Sequence, residues 1–382
     1  VRLLVLTLAF VLSAAVPAAA PAAAVHAAVP DRAVTDTART APTFNGTVHA
    51  VAYLGTTVYV GGSFTRAHWG GRNWPRERLA AFDSRTGALL SWAPTADGTV
   101  RALAAAPGAV YVAGDFHRIA GKRRDSLARL NPNGNPLTPF RHFLAGTPYA
   151  LAIGNGRLYL GGKFSVVSGR RQSNLAAFDL ATGRLDPRWR PVADDRVQTL
   201  AAVGGRVFVG GAFRGIGGDR TAARLAAVDA GSGALDRTFR PAVSAEVNDI
   251  AVDGSGVYAA TGGQGGRAVA FRLDGRPRWQ RVFDGDTTAI TLAGGIAYVG
   301  GHFDRVCRTA RNGPHGSCLD GSVPRVKLAA ITTAGSLTTW NPRANGVIGV
   351  RVLSTDPATG SLDAGGDFTT IGGQIRPRFA RF

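Results

Sequence analysis

The sequence predicts an all-β fold: a seven-bladed β-propeller of four-stranded blades, closed by an N-terminal strand that completes the last blade. Three observations lead there. One short phrase recurs seven times along the chain. A second phrase, ending in a turn and an aromatic residue, recurs in step with it. The last unit stops one strand short, while one surplus strand precedes the first unit.

The first phrase is clearest at Val58–Phe64, V-Y-V-G-G-S-F. It returns at Val110–Phe116, Leu158–Phe164, Val207–Phe213, Ala297–Phe303 and Leu362–Phe368, with a degraded copy at Val257–Gly263. A period of this kind marks stacked or radial supersecondary units rather than independent domains. The third unit shows the expected strands. Tyr149–Ile153 is the first strand, and the Gly-Asn-Gly turn after it is a hairpin signal. Leu158–Phe164 is the second, Ser165–Ser173 a polar loop, Asn174–Asp179 the third, and Leu185–Arg190 the fourth. Two-residue alternation punctuated by glycine argues all-β over α/β.

The second phrase is L-A-A-F-D-x-x-T-G-x-L-x-x-W-x-P, seen at Leu79–Pro94, Leu175–Pro191 and, with Phe for Trp, Leu225–Pro241. Its terminal aromatic is read as Phe44, Trp92, Phe140, Trp189, Phe239, Phe283 and Trp340, at spacings of 48, 48, 49, 50, 44 and 57. The chain ends in a third strand, Arg378–Phe382, whereas Pro42–Gly46 resembles a fourth strand without a unit of its own. Radial closure accounts for that offset and removes an edge open to foreign strands. An open solenoid predicts no such offset.

Two units deviate. The fifth lacks the Phe and most of the loop after its second strand. The sixth carries an insertion there, Asp304–Pro324, holding both cysteines, Cys307 and Cys318. In an exported chain that even count at short spacing reads as a disulfide. A metal pair needs more ligands than the loop offers, His315 being the nearby histidine.

Residues 1–28 read as a secretory signal: Arg2, an apolar run Leu3–Ala15, then small residues with acceptable cleavage after Ala24, Ala27 or Ala28. Residues 29–41 read as a flexible leader and 42–382 as the propeller. No later stretch is long and apolar enough to span a bilayer. The protein is thus expected outside the cell, monomeric, and free or associated with the cell wall. The chain is strongly basic, +19, and only Lys122, Lys163 and Lys327 of its 44 basic residues are lysine. Arginine richness beside alanine and glycine partly reflects coding bias. Bias does not explain the distribution, however. The loops after the seven second strands hold 21 basic and five acidic residues, a net +16 of the +19.

The two phrases together resemble a family of secreted bacterial propellers of the actinobacterial type, built from delta-60 or related Y-V-G-G-x-F repeats. The resemblance covers residues 42–382 and implies the fold; it implies no shared catalytic residues. The D-x-x-T-G-x-L-x-x-W run is similar, more distantly, to the docking motif of quinoprotein propellers. It supports the fold without transferring cofactor or calcium ligands.

The remaining motifs read as architecture. Asp83, Asp179 and Asp229 precede x-x-T/S-G, the pattern of a carboxylate capping a tight turn. The paired glycines lack a phosphate-loop context and sit inside a strand. No metal-binding histidine spacing and no G-x-S-x-G elbow occurs, so no catalytic residue, metal or cofactor is assigned. Asn45-Gly-Thr47 is a glycosylation sequon by pattern only.

Function is sought where the repeats vary. The residue before the Phe is Ser63, Asp115, Lys163, Ala212, His302 or Asp367. The second residue of the first strand is His49, Arg101, Tyr149, Gln198, Asn248, Thr288 or Ile348. Both sets are expected near the channel mouth on the Arg-rich face, with His49, Arg101, Asp115, Tyr149, Lys163, Gln198, Asn248, His302 and Asp367 as ligand-binding candidates. A strongly positive face attracts anions: a cell-wall polymer or acidic polysaccharide first, nucleic acid after them. The leading expectation is a non-catalytic binding or scaffold protein for an anionic or glycan-like ligand. The alternative is a propeller-type enzyme, a glycan lyase or hydrolase or a quinoprotein-like oxidoreductase. Two carboxylates, or a histidine with tyrosine or arginine, in a deep mouth pocket would favour the enzyme.

Overall fold

The computed structural model describes residues 34–382; the secretory stretch and the first part of the leader lie outside them. Among the described residues, seven antiparallel sheets begin with Val48–Leu54, Val100–Ala106, Leu144–Gly154, Val197–Val203, Val247–Asp253, Thr287–Ala293 and Val350–Thr355. Each of these strands turns tightly into a second strand, which then pairs with a third; in the first unit these carry V-Y-V-G-G and L-A-A-F-D, and the fifth and last units depart furthest from both phrases. The first strands touch their neighbours in chain order, and Val350–Thr355 lies against Val48–Leu54.

Local sequence explains this packing. The centres of the second strands are buried on both faces, as in Val58–Gly62, so they read as continuous apolar runs rather than alternating ones. The first glycine of the phrase makes room for the next sheet. A Cβ on Gly61 would lie 2.5 Å from Val100 Cγ1, and one on Gly365 would lie 2.6 Å from Val48 Cγ1. The second glycine faces its own first strand: a Cβ on Gly62 would sit 2.1 Å from the Thr47 carbonyl oxygen. The Phe after the glycines is fully buried at Phe64, Phe116, Phe213, Phe303 and Phe368. Core clusters join adjacent units, as where Tyr59 and Trp92 pack with Val100, Val112 and Phe116.

The fourth strand differs from expectation. In most units it is a single bridge, such as Phe82 to Leu89 or Phe178 to Leu185. The chain then leaves the sheet, because the aromatic turns inward and a proline, which has no N–H to donate, follows. A full fourth strand, Pro277–Val282, forms in the fifth unit, which lacks the T-G-x-L turn.

The aromatic register also needs correction. The second-strand aromatic meets the aromatic after the third strand in the pairs Tyr59–Trp92, Tyr111–Phe140, Tyr159–Trp189, Phe208–Phe239, Tyr258–Trp279 and Tyr298–Trp340, with ring centroids 5.0–5.9 Å apart. Trp279, not Phe283, therefore belongs to the series. Phe44 and Phe283 occupy a position four residues later. They pack on Phe64 and Phe303, each at 4.4 Å.

The N-terminal segment meets the last sheet through one bridge, Arg39 to Arg381, while Thr43–Phe44 pairs with Arg66–Trp69 of the first unit. Residues 34–41, expected as leader, are anchored. Ala38 and Ala41 are buried, the Trp340 indole donates to the Thr35 carbonyl, and the Val34 N–H donates to the Tyr298 hydroxyl.

Several of the loops after the second strands are ribbons, among them Arg66–Trp69 with Arg72–Pro75 and Arg305–Cys307 with Ser322–Pro324. Five of these loops are clipped to the preceding unit by an Asx side chain. Asn45 Oδ1 accepts the Thr65 and Arg66 N–H groups; Asp97 accepts His117 and Arg118; Asp194, Asp284 and Asn345 do the same in their units. The sequon asparagine is thus a structural clip. Cys307 and Cys318 form a disulfide. Its loop leans into the gap left by the short fifth unit, where Gln264 Nε2 donates to the Gly313 carbonyl at 2.9 Å and Asn312 Nδ2 donates to Gln264. One unit's insertion fills its neighbour's deletion.

Candidate ligand site at the channel mouth

Every first strand carries a register shift near its start: between Val48 and Ala50, Val100 and Ala102, Pro148 and Ala150, Val197 and Thr199, Val247 and Asp249, Thr287 and Ala289, and Val350 and Val352. A bulge leaves one residue unpaired and re-aims its side chain. The seven unpaired residues are His49, Arg101, Tyr149, Gln198, Asn248, Thr288 and Arg351. All seven line one cavity of about 300 Å³, together with Arg196 and Glu246. Shared walls continue it into cavities of about 350 and 490 Å³ that run between the first strands past Asp249.

Five of the nine candidates, His49, Arg101, Tyr149, Gln198 and Asn248, therefore share the mouth. Asp115 and Asp367 stand behind it. Arg101 Nε and Nη2 reach Asp115 at 2.8 Å, and Arg351 Nε donates to Asp367 at 2.7 Å. Lys163 and His302 lie elsewhere. Lys163 pairs with Asp195 at 3.3 Å beside a separate cavity, and His302 borders a third cavity with Asp286 and His315. Ile348 is not the ring residue of the last unit; Arg351 is, because the strand starts at Val350. Sequence reasoning missed Arg196 and Glu246, which pair with each other. The detectable signal was their shared place one residue before the strand, where the first two units have Thr47 and Thr99.

The mouth is chemically specific. Tyr149 lies between two guanidinium groups, Arg101 at 5.3 Å and Arg196 at 5.7 Å from its ring centre, a cation–π arrangement. Burial, reinforced by the positive charges of Arg351 and Arg101, pushes the His49 pKa down to about 4, so the ring is neutral at pH 7. Asn248, which lines the cavity, donates from Nδ2 to the Thr287 carbonyl at 2.8 Å, which leaves its amide oxygen as an acceptor. Deeper in the channel, burial raises the Asp249 carboxyl to about 6, although it accepts hydrogen bonds from Ile250 N–H, Ile290 N–H and the Thr199 hydroxyl. Among the described residues, no three His, Cys, Asp or Glu side chains are grouped to hold a metal.

The basic loops are partly engaged inside the fold. Arg76 and Arg124 are buried, and their guanidinium groups, like that of Arg325, donate to backbone carbonyls. Arg78, Lys327 and Arg378 hold left-handed backbone just before a third strand, with φ of 70, 66 and 68°, and cap the carbonyls of Phe64, His302 and Asp367. Exposed arginines remain on the ribbons, including Arg66, Arg72, Arg118, Arg171 and Arg214. The recurring turn aspartates are structural: Asp83, Asp179 and Asp229 each accept an N–H and a hydroxyl from the Thr or Ser three residues on. Those bonds lower their pKa values.

Comparison with known proteins bears on the architecture. A family model described as "Domain of unknown function (DUF5122) beta-propeller" matches residues 108–136, which span a second strand, its ribbon and a third strand. The WD40 β-propeller domain of Doa1 is similar in structure, with a TM-score of 0.57 and 11% identity over 90% of this chain and 95% of that one. A computationally designed protein, Ika8, aligns at a TM-score of 0.49 and 15% identity, over 89% of this chain and 98% of that one. No curated protein matches the chain in sequence. Seven repeated sheets, the matched repeat and the WD40 likeness make this an all-β protein of propeller-like repeats.

Proposed function

We propose that the protein is an exported, non-catalytic binding propeller that holds an anionic or glycan-like extracellular ligand over its channel mouth on the Arg-rich face. It has seven blades, whose fourth strand is reduced to a single bridge in most units, closed where residues 34–44 meet the last sheet, and works as a monomer at or near the cell wall. One observation carries the reading: seven bulges, one per unit, aim seven side chains of six kinds into one cavity while the scaffold around them repeats. Variation confined to one ring on a constant frame is what recognition requires, and concave sites with a few convergent polar groups are the usual ligand sites. Support for closure comes from the fit of Gly365 against Val48 and the Arg39–Arg381 bridge. Support for export comes from the N-terminal apolar stretch and the disulfide.

The test is retention of the protein on isolated cell walls and on heparin across a salt series, with Gln198→Ala and Arg351→Gln as mouth variants. Retention that depends on the mouth variants supports the reading; retention indifferent to them refutes it.

A second reading has one observation in its favour: His49 and Tyr149 share the cavity with three arginines. A glycan lyase would use such a set, a neutral base, a phenol and cations against a uronate. Incubation with acidic polysaccharides, followed by ultraviolet absorbance of an unsaturated product, tests it. No product, or equal product from His49→Ala, ends that reading.

A further inference from the structure

Although the face as a whole is basic, the mouth is charge-balanced. Its three arginines each have a carboxylate: Arg101 has Asp115, Arg196 has Glu246, and Arg351 has Asp367. Resting on the mouth reading above, we propose that the ring recognises an uncharged, hydroxyl-rich ligand, a saccharide end or short segment, and that the exposed ribbon arginines form a separate outer zone.

Two lines of chemistry lead there. First, an anion entering the mouth meets paired guanidinium groups. It must either displace a carboxylate already held at 2.7–2.8 Å or approach against that carboxylate's charge. At Arg351 and Arg196 displacement leaves a partly buried carboxylate, Asp367 or Glu246, without its partner, which is costly. His49 offers no compensating charge, because it is neutral at pH 7. Second, the groups left over by the ion pairs include both donors and acceptors. Arg101 Nη1, the Arg351 terminal nitrogens, the Tyr149 hydroxyl and the Gln198 amide donate. Asn248 Oδ1 and the second Glu246 oxygen accept. Sugar hydroxyls are donors and acceptors at once, and planar side chains locked in ion pairs present both at fixed angles without reorganising on binding. Two guanidinium groups already lie over the Tyr149 ring and compete with a stacked ligand, so recognition runs through hydroxyl hydrogen bonds.

The experiment titrates the full chain by calorimetry with neutral trisaccharides (chitotriose, cellotriose, maltotriose) and, separately, with inorganic phosphate and heparin. Each is run at low and high salt, on wild type, on the mouth variants Gln198→Ala and Asn248→Ala, and on the ribbon variant Arg72→Ala/Arg171→Ala. The expected result is binding of a neutral trisaccharide that changes little with salt. It should weaken about tenfold with either mouth variant, the equivalent of one lost hydrogen-bonding group, and be untouched by the ribbon variant. Phosphate or heparin bound at the mouth, weakened by salt and by Gln198→Ala, with no neutral trisaccharide bound, would overturn the inference while leaving the mouth as the site. Binding of no probe that responds to a mouth variant would overturn both.

Discussion

Replacing Arg381 by methionine should destabilise the protein by about 3–5 kcal/mol, the usual result of breaking a buried ion pair. Arg381 sits in the last sheet where most other units have an alanine opposite the second-strand aromatic, as Ala81 faces Tyr59 and Ala177 faces Tyr159, the exception being Arg129 opposite Tyr111. In this unit the aromatic is replaced by Asp363. The guanidinium is 2% exposed and both its carboxylates 0%. It bonds Asp363 at 3.3 Å, Asp356 more closely, and the Thr359 hydroxyl at 2.8 Å, and it lies 5.8 Å over the Phe82 ring of the first unit. Tyr53, also of the first unit, donates to Asp363 at 2.9 Å. A polar cluster thus joins the last sheet to the first, beside the ring contact of Phe379 with Phe82 at 5.5 Å. At 3.3 Å one pair contributes about 5 kcal/mol of attraction at an effective dielectric of about 20, and two carboxylates draw on the same cation. Methionine fills the volume and removes the charge. Asp356 keeps the Ala358 N–H and Thr359 hydroxyl, whereas Asp363 keeps only Tyr53. Urea unfolding at pH 8 measures the cost, and adding Asp363→Asn to Arg381→Met should recover about half of it. A single variant within about 1 kcal/mol of wild type, the scale of a surface pair, would refute a buried cluster holding this seam.

Three further outcomes follow. Two buried carboxylates share Arg381, and burial raises Asp363 to about 7; a folded-state pKa above the unfolded value favours folding at low pH and loses that contribution as pH rises through about 7. His49 acts oppositely, its contribution complete above 6.5 and lost as pH falls toward about 4. Between pH 6.5 and 8, then, stability should fall in wild type and stay level in Asp363→Asn; an unchanged slope in that variant would remove Asp363 as the cause. Asp97→Ala should cost about 1–3 kcal/mol through two orphaned N–H groups, at His117 and Arg118, and hydrogen exchange should speed at those amides while the distant Asn345 clip stays protected. Opening the Cys307–Cys318 loop, whose ends are 11 residues apart, should cost about 2–3 kcal/mol. Alkylation of the native, unreduced protein should leave its mass unchanged.

Much of the architecture was legible because it is written in contiguous residues. Turn chemistry at Asn155-Gly156, the buried run Leu158–Leu160, the paired glycines and the capping Asp179 each act within a few positions, and seven repetitions separate signal from accident. The same locality explains the misread features. Phe44 and Phe283 are aromatic residues at nearly the right spacing, yet only the ring partners distinguish their position from that of Trp92 and Trp279. Ile348 and Arg351 are three residues apart, and the bulge that selects Arg351 is defined by its pairing with the neighbouring strand.

The sequence by itself determined the unit: its hairpin, its glycine-thinned second strand, its buried Phe and the disulfide-bearing insertion. Each depends on local backbone preference and two-residue periodicity, which any window of the chain carries. Only the tertiary structure decided which side chains meet. Arg196 finds Glu246 across 50 residues, Asn45 clips Thr65 across 20, and Tyr53 reaches Asp363 across 310. Ion pairs and hydrogen bonds act over a few ångströms of space, whatever the separation along the chain. The charge of an arginine is therefore readable from sequence, while its partner, and so whether that charge is free to attract a ligand, is set by packing.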